Sequence, residues 1–271
     1  MKTFRSFRVE AVVLNHRDFG EADRLLTLYT RQRGKVRAIA KGVRKITSRR
    51  AGHLEPFTQV ALQLAQGRDL FIITQAETIE PYLPLRDDLV RMGHAAYVVE
   101  LVDRFTHEDE EAGAATLFHL LTATLSRLAS RADPWPALRY FEIRLLDGVG
   151  FRPRLFECVR CEEPVRPEDQ FFSFGEGGVV CARCGRGDPA LQAASMEALK
   201  YLRHFQRSEY ADAARARPTA GVRAEVERLI QGYLTYLLER TLNAPGFLRK
   251  IRGSLSGEEG EDVTGGSVTP P

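Results

Sequence analysis

Residues 23–41, DRLLTLYTRQRGKVRAIAK, contain the pattern that decides the fold of the first third of the chain. Two runs rich in apolar and β-branched residues, 23–30 and 34–41, flank a short polar stretch. Gly34, at the end of that stretch, tolerates the positive φ that a tight hairpin requires. The pattern therefore predicts two antiparallel strands joined by a hairpin loop.

Three further segments of the same kind surround this hairpin, at residues 8–15, 57–65 and 69–79. Turn-like stretches rich in Gly and charged residues separate them. Five short strands within about 80 residues, with few helical stretches between them, predict a small closed barrel of OB-like or SH3-like size. Periodicity alone does not choose between these two barrels.

A row of cations is predicted on one face of this barrel. Because side chains alternate along a strand, the apolar and basic residues of 34–41 separate onto opposite faces. The apolar face carries Val36, Ala38 and Ala40; the basic face carries Lys35, Arg37 and Lys41, and the next loop adds Arg44, Lys45, Arg49 and Arg50. From Arg31 to Arg50 there are nine Lys or Arg residues and no acid. The seven basic residues from Lys35 to Arg50 named above are the predicted contacts to a phosphate backbone.

Four aromatic residues lie near this basic stretch in the sequence: Phe7, Phe19, Tyr29 and Phe57. An aromatic side chain can stack on an unpaired base. In a small barrel it more often belongs to the core. We therefore expect the cations to contribute more to nucleic-acid binding than any single aromatic residue.

Charge is distributed unevenly along the 271 residues. The net charge is +7 over residues 1–82, zero over 83–253 and −4 over 254–271. A basic segment at one end predicts an anionic partner, with nucleic acid as the first candidate and a merely solvated surface as the alternative. The acidic tail, rich in Gly, Ser and Glu, is expected to be disordered.

The remainder of the chain is typical of a helical body. Apolar residues at helical spacing predict helices over 86–105, 112–131, 134–147, 195–208 and 220–242. Pro134 suits a first helical turn and Ser195 suits an N-cap, and the interior is expected to be a plain apolar core. The fold class is therefore α+β multidomain, divided into a barrel (1–82), the first part of a helical domain (83–150), a four-cysteine ribbon (151–189), the second part of the helical domain (190–253) and the tail (254–271).

Two cysteine pairs form the strongest local motif, Cys158-Val-Arg-Cys161 and Cys181-Ala-Arg-Cys184. This C-x2-C spacing predicts one structural Zn²⁺ ion in a closed four-thiolate sphere, with no open position for a reacting water. The intervening FFSFGEGGVV predicts a short hairpin, as in a zinc ribbon. Two alternatives to a metal site are less favoured. Disulfides are rare in a reducing cytoplasm, and a redox-active C-x2-C pair does not require a second such pair.

Catalytic and membrane signals are missing from the sequence. It contains no P-loop, no H-E-x-x-H helix and no H-x-E before a P-C-x-x-C pair, so we expect no enzymatic activity. No run of 18 apolar residues exists, and Arg5 and Arg8 interrupt the N-terminus, which does not resemble a secretory signal. A cytoplasmic protein without membrane contact is the expectation.

Several stretches resemble a known family: EAVVLNHRDFGEADRLLTLYT (10–30), RGKVRAIAKGVRK (33–45), SRRAGHLEPF (48–57) and LLDGVGFRPRLFECVRC (145–161). A Gly-Glu-x-Asp run, a G-K-V hairpin and an A-K-G-x-R-[KR] strand end are similar to those of the bacterial recombination-repair RecO family. The resemblance extends over about residues 8–250.

That resemblance implies an OB-fold domain and a helical domain that carries a zinc ribbon. It also implies a role in DNA recombination and the repair of DNA damage through the RecF pathway: binding single- and double-stranded DNA, annealing complementary strands, and helping to load recombinase onto DNA coated by single-strand-binding protein. The implied partners are RecR and the acidic C-terminal tail of single-strand-binding protein, with a place at the nucleoid. An RNA-binding factor, or a protein-binding adaptor with no nucleic-acid role, remains the alternative from the residues alone.

Overall fold

The computed structural model of the chain describes residues 6–130 and 133–238, which form a barrel, a helical body and a small sheet that carries the cysteines. The predicted disordered tail at 254–271, and the last four residues of the helix predicted to end at 242, lie outside the described residues.

Five strands close the N-terminal barrel in the order β1-β2-β3-β5-β4. They are β1 (Ser6–Phe19), β2 (Asp23–Thr30), β3 (Gly34–Ala40), β4 (Gln59–Ala65) and β5 (Phe71–Glu80). Neighbouring strands pair antiparallel except β3 and β5, which pair parallel. This order, with its one parallel pair, is that of the OB-fold, and it decides between the two barrels that periodicity left open.

The long first strand allows the barrel to close. Ser6–Val12 of β1 pair with β4, whereas Ala11–Phe19 pair with β2. The register with β2 shifts between Val13 and Asn15, which marks a bulge. A bulge bends a strand and increases its twist, so β1 can take part in both sides of the barrel.

The β2–β3 hairpin has the predicted loop and faces. Gly34 has φ +65°, and the hydroxyl of Thr30 donates a hydrogen bond to its carbonyl oxygen at 3.0 Å. Val36, Ala38 and Ala40 are at most 1% exposed. The apolar face of β3 is therefore buried in the barrel, as predicted.

Helices build the body. The longer ones are α1 (Leu89–Phe105), α2 (Ala114–Ser130), α3 (Trp135–Gly148), α5 (Met196–Arg207) and α7 (Ala220–Leu238); α4 (Ala182–Gly185) and α6 (Tyr210–Ala213) are single turns. Ser195 caps α5 as predicted, because its hydroxyl accepts a hydrogen bond from the Ala198 N–H at 3.1 Å. No helix in the described ranges combines the length and apolarity needed to cross a bilayer.

Two predicted helix starts are shifted. The first helix begins at Leu89 rather than 86, because Asp88 caps it by accepting a hydrogen bond from the Arg91 N–H at 2.8 Å. Pro134 was predicted to lie in the first turn of α3, but it is the N-cap residue. Pro136 lies in the first turn instead. Both changes are confined to the first turn of the helix, where boundaries are least sharply defined.

The interior of the body is not a plain apolar core, contrary to the sequence-based expectation. Arg139 and Glu142 of α3 are buried, and the Arg139 guanidinium donates a hydrogen bond to Glu142 at 2.7 Å. The hydroxyl of Tyr97 on α1 donates to the same oxygen at 2.6 Å, and Glu227 on α7 lies 3.4 Å from Arg139. Burial raises the pKa of Glu142 to about 7, against the opposing pull of Arg139. The network links three helices. Helical periodicity identifies apolar core positions and did not predict that these polar side chains would be buried.

The cysteine-bearing sheet has three strands, one more than predicted. The expected hairpin forms from β6 (Gln170–Ser173) and β7 (Gly178–Val180), and β8 (Gln192–Ala194) pairs with the other edge of β6. Three residues are too few to give β8 a recognisable pattern in the sequence. Phe172 of β6 packs against Tyr233 of α7 with ring centroids 5.6 Å apart, so this sheet is joined to the helical core.

The start of β3 holds the barrel against the body. The Asp109 N–H donates a hydrogen bond to the Lys35 carbonyl at 2.9 Å, and Lys35 also forms a parallel bridge with Glu108. The Lys35 ammonium donates to the backbone oxygen of Asp103 at 2.6 Å and to its carboxylate at 3.1 Å. Arg33 adds an ion pair to Asp109 at 3.2 Å. The segment that follows α1 thus docks directly on the hairpin.

Gly34→Ala tests this contact. A Cβ at Gly34 would collide with the backbone carbonyl of Glu110, whereas one at Gly20 would meet nothing within 4 Å, although φ is positive at both positions. We expect Gly34→Ala to destabilise the protein by about 1–3 kcal/mol more than Gly20→Ala, because only the former adds a steric clash. Urea unfolding followed by circular dichroism measures the difference, and equal losses would contradict a tight contact.

Candidate metal centre and nucleic-acid interface

The four cysteines converge as their spacing predicts. All are free thiols, and their sulfur atoms lie within 4.8 Å of one another, with 3.9 Å between Cys161 and Cys181. A tetrahedral zinc site with Zn–S bonds of about 2.3 Å separates its sulfur atoms by about 3.8 Å. The group could therefore hold one metal ion, and its chemistry is compatible with zinc.

The electrostatics around the sulfur atoms favour a bound cation. Burial alone would raise the pKa of Cys158, but N–H groups of Cys181, Cys161 and Arg160 lower it to about 6. Hydrogen bonds with Cys181 and Cys161 raise the pKa of Cys184 to about 12. Four thiols at this spacing cannot all ionise at neutral pH without a positive charge between them.

The side chain of Arg160 connects the two C-x2-C pairs. Its guanidinium donates hydrogen bonds to Glu176 at 2.8 Å, to Asp188 at 2.7 Å and to the Cys184 carbonyl at 3.1 Å. Arg160 lies inside the first C-x2-C pair, whereas Cys184 ends the second. The ion pairs with Arg160 lower the pKa values of Glu176 and Asp188. The sequence motif identified the ligands but not this arginine clamp.

Removal of the metal tests how far its influence extends. Cys158 packs with Val180 and Leu191 in a small cluster, separate from the large core of the helices. We therefore expect a chelator to release one zinc ion per chain and to leave most of the helical circular dichroism at 222 nm intact. Cys184→Ser, which removes one ligand, serves as the control and should change little on chelation. Loss of all helical signal from the wild type would contradict the prediction.

The seven predicted phosphate contacts lie in three different environments. The side chain of Lys35 is 15% exposed and is bound to Asp103, as described above. Arg37 is about half exposed and lies 3.7 Å from Glu108. We call Lys35 and Arg37 the β3 row, and both face carboxylates of the helical body.

Arg50 supports the loop from within. Its guanidinium donates hydrogen bonds to the Lys41 carbonyl at 2.7 Å and to the Ile73 carbonyl at 2.6 Å. It thereby joins the two ends of the stretch 41–50 and fastens it to β5. Satisfying two backbone carbonyls is a structural role that a basic sequence pattern does not distinguish from phosphate binding.

The other four cations are exposed on the stretch 41–49, which we name the basic loop: Lys41, Arg44, Lys45 and Arg49. Arg44 forms an ion pair with Asp18 at 3.2 Å. Lys41, Lys45 and Arg49 form no ion pair with a carboxylate in residues 6–130 and 133–238. These three residues therefore carry charge that an external anion can neutralise.

The β1–β2 turn lies beside the basic loop. The Arg44 N–H donates to the Ala22 carbonyl at 2.9 Å, and the Gly42 N–H donates to the Asp23 carboxylate at 2.7 Å. Phe19, at the end of β1, is 52% exposed. Of the four aromatic residues considered from the sequence, Tyr29 and Phe57 are buried, and Phe7 packs edge-on against Phe71. Phe19 is thus the member of that set whose ring is most available at this surface.

Two features of this surface escaped sequence reasoning. Asp103 and Glu108 pair with Lys35 and Arg37, although about 70 residues separate the partners in the sequence. Opposite charges at such a separation give no local signal. The second feature is Ile46, at the tip of the basic loop, whose side chain is fully exposed.

A cavity of about 730 Å³ lies between the barrel and the helical body. Apolar side chains from both units line it: Tyr29, Phe105, Leu120 and Phe151. Its charged lining residues include Glu110, Asp147 and Glu209, against Arg144. The Arg144 guanidinium is already bonded to the Ser208 carbonyl at 2.6 Å. Because carboxylates outnumber cations here, the cavity does not favour an acidic peptide.

Comparison with known proteins agrees with this architecture. The family model described as "Recombination protein O N terminal" matches residues 1–82, and that described as "Recombination protein O C terminal" matches residues 86–245. The chain therefore belongs to the RecO family. RecO-family membership places it among DNA repair proteins, and the C-terminal match includes both the helical body and the cysteine-bearing sheet.

Individual relatives cover nearly the whole chain. A DNA repair protein RecO from Roseiflexus sp. (strain RS-1) is 39% identical over 251 residues, covering 93% of this chain and 88% of the relative. Those of Symbiobacterium thermophilum and Dehalococcoides mccartyi (strain BAV1) are 35% and 33% identical, covering 92% and 91% of this chain and 98% and 96% of the relatives. The similarity thus covers more than nine tenths of the chain. The finer domain limits at 150 and 189 stay predictions.

Proposed function

We propose that this RecO-family protein binds single- and double-stranded DNA, anneals complementary strands, and helps to load recombinase onto DNA coated by single-strand-binding protein in the RecF pathway. The observation that supports it best is the basic loop on the OB-fold, where Lys41, Lys45 and Arg49 lack carboxylate partners in the described chain. The role we assign is that of a mediator and not of an enzyme.

Annealing requires no bond chemistry. Two polyanionic strands repel each other, and a basic surface that binds both lowers this repulsion while it releases condensed counterions. Contacts to phosphates carry no sequence information, so such a surface acts on any pair of complementary strands. An exposed loop with long flexible cations meets this requirement.

Phe19 is the stacking side chain in this proposal. It lies at the β1–β2 turn, and the loop between the first two strands is one that OB-folds use to bind oligonucleotides. Aromatic stacking on unpaired bases contributes without regard to sequence. The hydrogen bonds from Gly42 and Arg44 to this turn keep Phe19 and the basic loop on one surface.

Lys35 and Arg37 take a smaller part in DNA binding than the basic loop. To reach a phosphate, Lys35 would have to leave Asp103, and Arg37 would have to turn from Glu108. Breaking a partly buried ion pair to form another gains little free energy. Their main contribution is to hold the barrel on the helical body.

The proposed protein partners are RecR and the acidic C-terminal tail of single-strand-binding protein. The carboxylates in the cavity between barrel and body would repel an acidic tail, whereas exposed cations elsewhere on the chain would attract it. Zinc at the four cysteines would hold the ribbon together, without a part in annealing.

Charge removal tests the DNA-binding surface. We expect the triple variant Lys41→Ala, Lys45→Ala, Arg49→Ala to weaken binding for every DNA sequence and to reduce the slope of log K against log salt by about 2–3, which corresponds to three lost phosphate contacts. Lys35→Ala with Arg37→Ala is the matched control, expected to change the slope by less than one. Fluorescence anisotropy titrations at several salt concentrations measure both. A larger effect from the control pair would move the interface to the β3 row.

Annealing itself is tested with complementary oligonucleotides precoated in single-strand-binding protein, without ATP. We expect the wild type to accelerate duplex formation and the triple variant to lose most of that acceleration, because the two strands would no longer be held on one surface. Lack of acceleration by a wild type that still binds bare DNA would refute the mediator role. Tighter binding to RNA than to DNA of matched sequence would instead favour the RNA-binding alternative.

A further inference from the structure

The tip of the basic loop presents an apolar side chain to solvent. Ile46 is fully exposed, the most exposed of the large hydrophobic side chains in the described residues. It stands between Lys45 and Thr47, and Arg44 and Arg49 are exposed on the same loop. A single exposed apolar residue is common on protein surfaces, so its setting must carry the argument.

That setting is a braced turn. The Ser48 N–H donates a hydrogen bond to the Lys45 carbonyl at 2.8 Å, which makes Ile46 the second residue of a β-turn. Val43, at the base of the loop, is fully buried in the barrel core, and Arg50 fastens the other end through its two carbonyl contacts. Isoleucine is also stiff at χ1, because it is branched at Cβ. The apolar tip is therefore held in place before any partner arrives.

The surrounding charge limits what can cover this tip. A partner must offer an apolar surface and, next to it, negative charge for Lys45 and its neighbouring arginines. Stacked bases flanked by phosphates have this arrangement, and proteins that distort DNA insert Ile, Leu, Phe or Met between base steps. The tip of the basic loop has the composition of such a wedge.

We propose that Ile46 enters between bases where a duplex meets a single strand, and unstacks one base step while the cations of the basic loop hold the adjacent phosphates. The substrate class is structured single-stranded DNA, such as a hairpin whose stem must open before its complement can pair. This inference rests on the proposed DNA-binding function and adds a base-contacting residue to it.

A hairpin oligonucleotide with 2-aminopurine at the last stem step reports unstacking as a rise in fluorescence. We expect the wild type to produce that rise and Ile46→Ser to reduce it at least about threefold, while DNA affinity by anisotropy changes by no more than about twofold, since phosphate contacts supply most of the binding. Ile46→Leu keeps an apolar tip and should retain the signal. Thr47→Ser is the matched control on the same turn and should behave as the wild type.

The two proposals fail in different ways. If the wild type binds the hairpin without a fluorescence rise, or if Ile46→Ser gives the wild-type rise, the wedge is refuted and DNA binding stands. A protein partner would then be the better occupant of the tip. If the wild type does not bind DNA at all, the proposed function and the wedge are both refuted. Equal melting temperatures of the variants show that no difference arises from misfolding.

Discussion

The docking of the β2–β3 hairpin on the segment after α1 joins the barrel to the helical body. Gly34 allows the backbones to approach closely, and the Asp109 N–H then bonds to the Lys35 carbonyl. Beside this contact the Lys35 ammonium binds Asp103 in a partly buried ion pair. Backbone hydrogen bonds and a shielded ion pair reinforce each other there, because each limits the access of water to the other.

This contact also divides the cations of the barrel into a paired group and an exposed group. Lys35 and Arg37 of β3 meet carboxylates of the helical body and are partly neutralised, whereas the cations of the basic loop form no ion pair with the described part of that body. The loop that carries them is fastened by Arg50, so the free charges are held near the β1–β2 turn. A uniformly basic stretch of sequence thus becomes two surfaces, one that joins domains and one open to solvent.

The helical body combines an apolar core with buried charge. Arg139 and Glu142 are enclosed between three helices, and removal of either side chain would leave the other buried without its ion-pair partner. The cysteine-bearing sheet extends this core through Phe172 while its sulfur atoms gather around a separate small cluster. The part of the sheet that packs on the helices and the part that carries the candidate metal site are therefore adjacent but distinct.

The sequence alone determined the features that depend on near neighbours in the chain. Alternation predicted β3, a glycine predicted the hairpin, apolar residues at helical spacing predicted the helices, Ser195 predicted a cap, and two C-x2-C pairs predicted the four cysteines that converge. Family resemblance named the OB-fold, and the strand order then established it. Only the tertiary structure decided that Lys35 faces Asp103, that Arg50 is a brace, that β8 completes the sheet and that Arg139 is buried. The physical reason is that these outcomes depend on charges and surfaces brought together across tens of residues, and pairing at that distance leaves no period or motif in the chain.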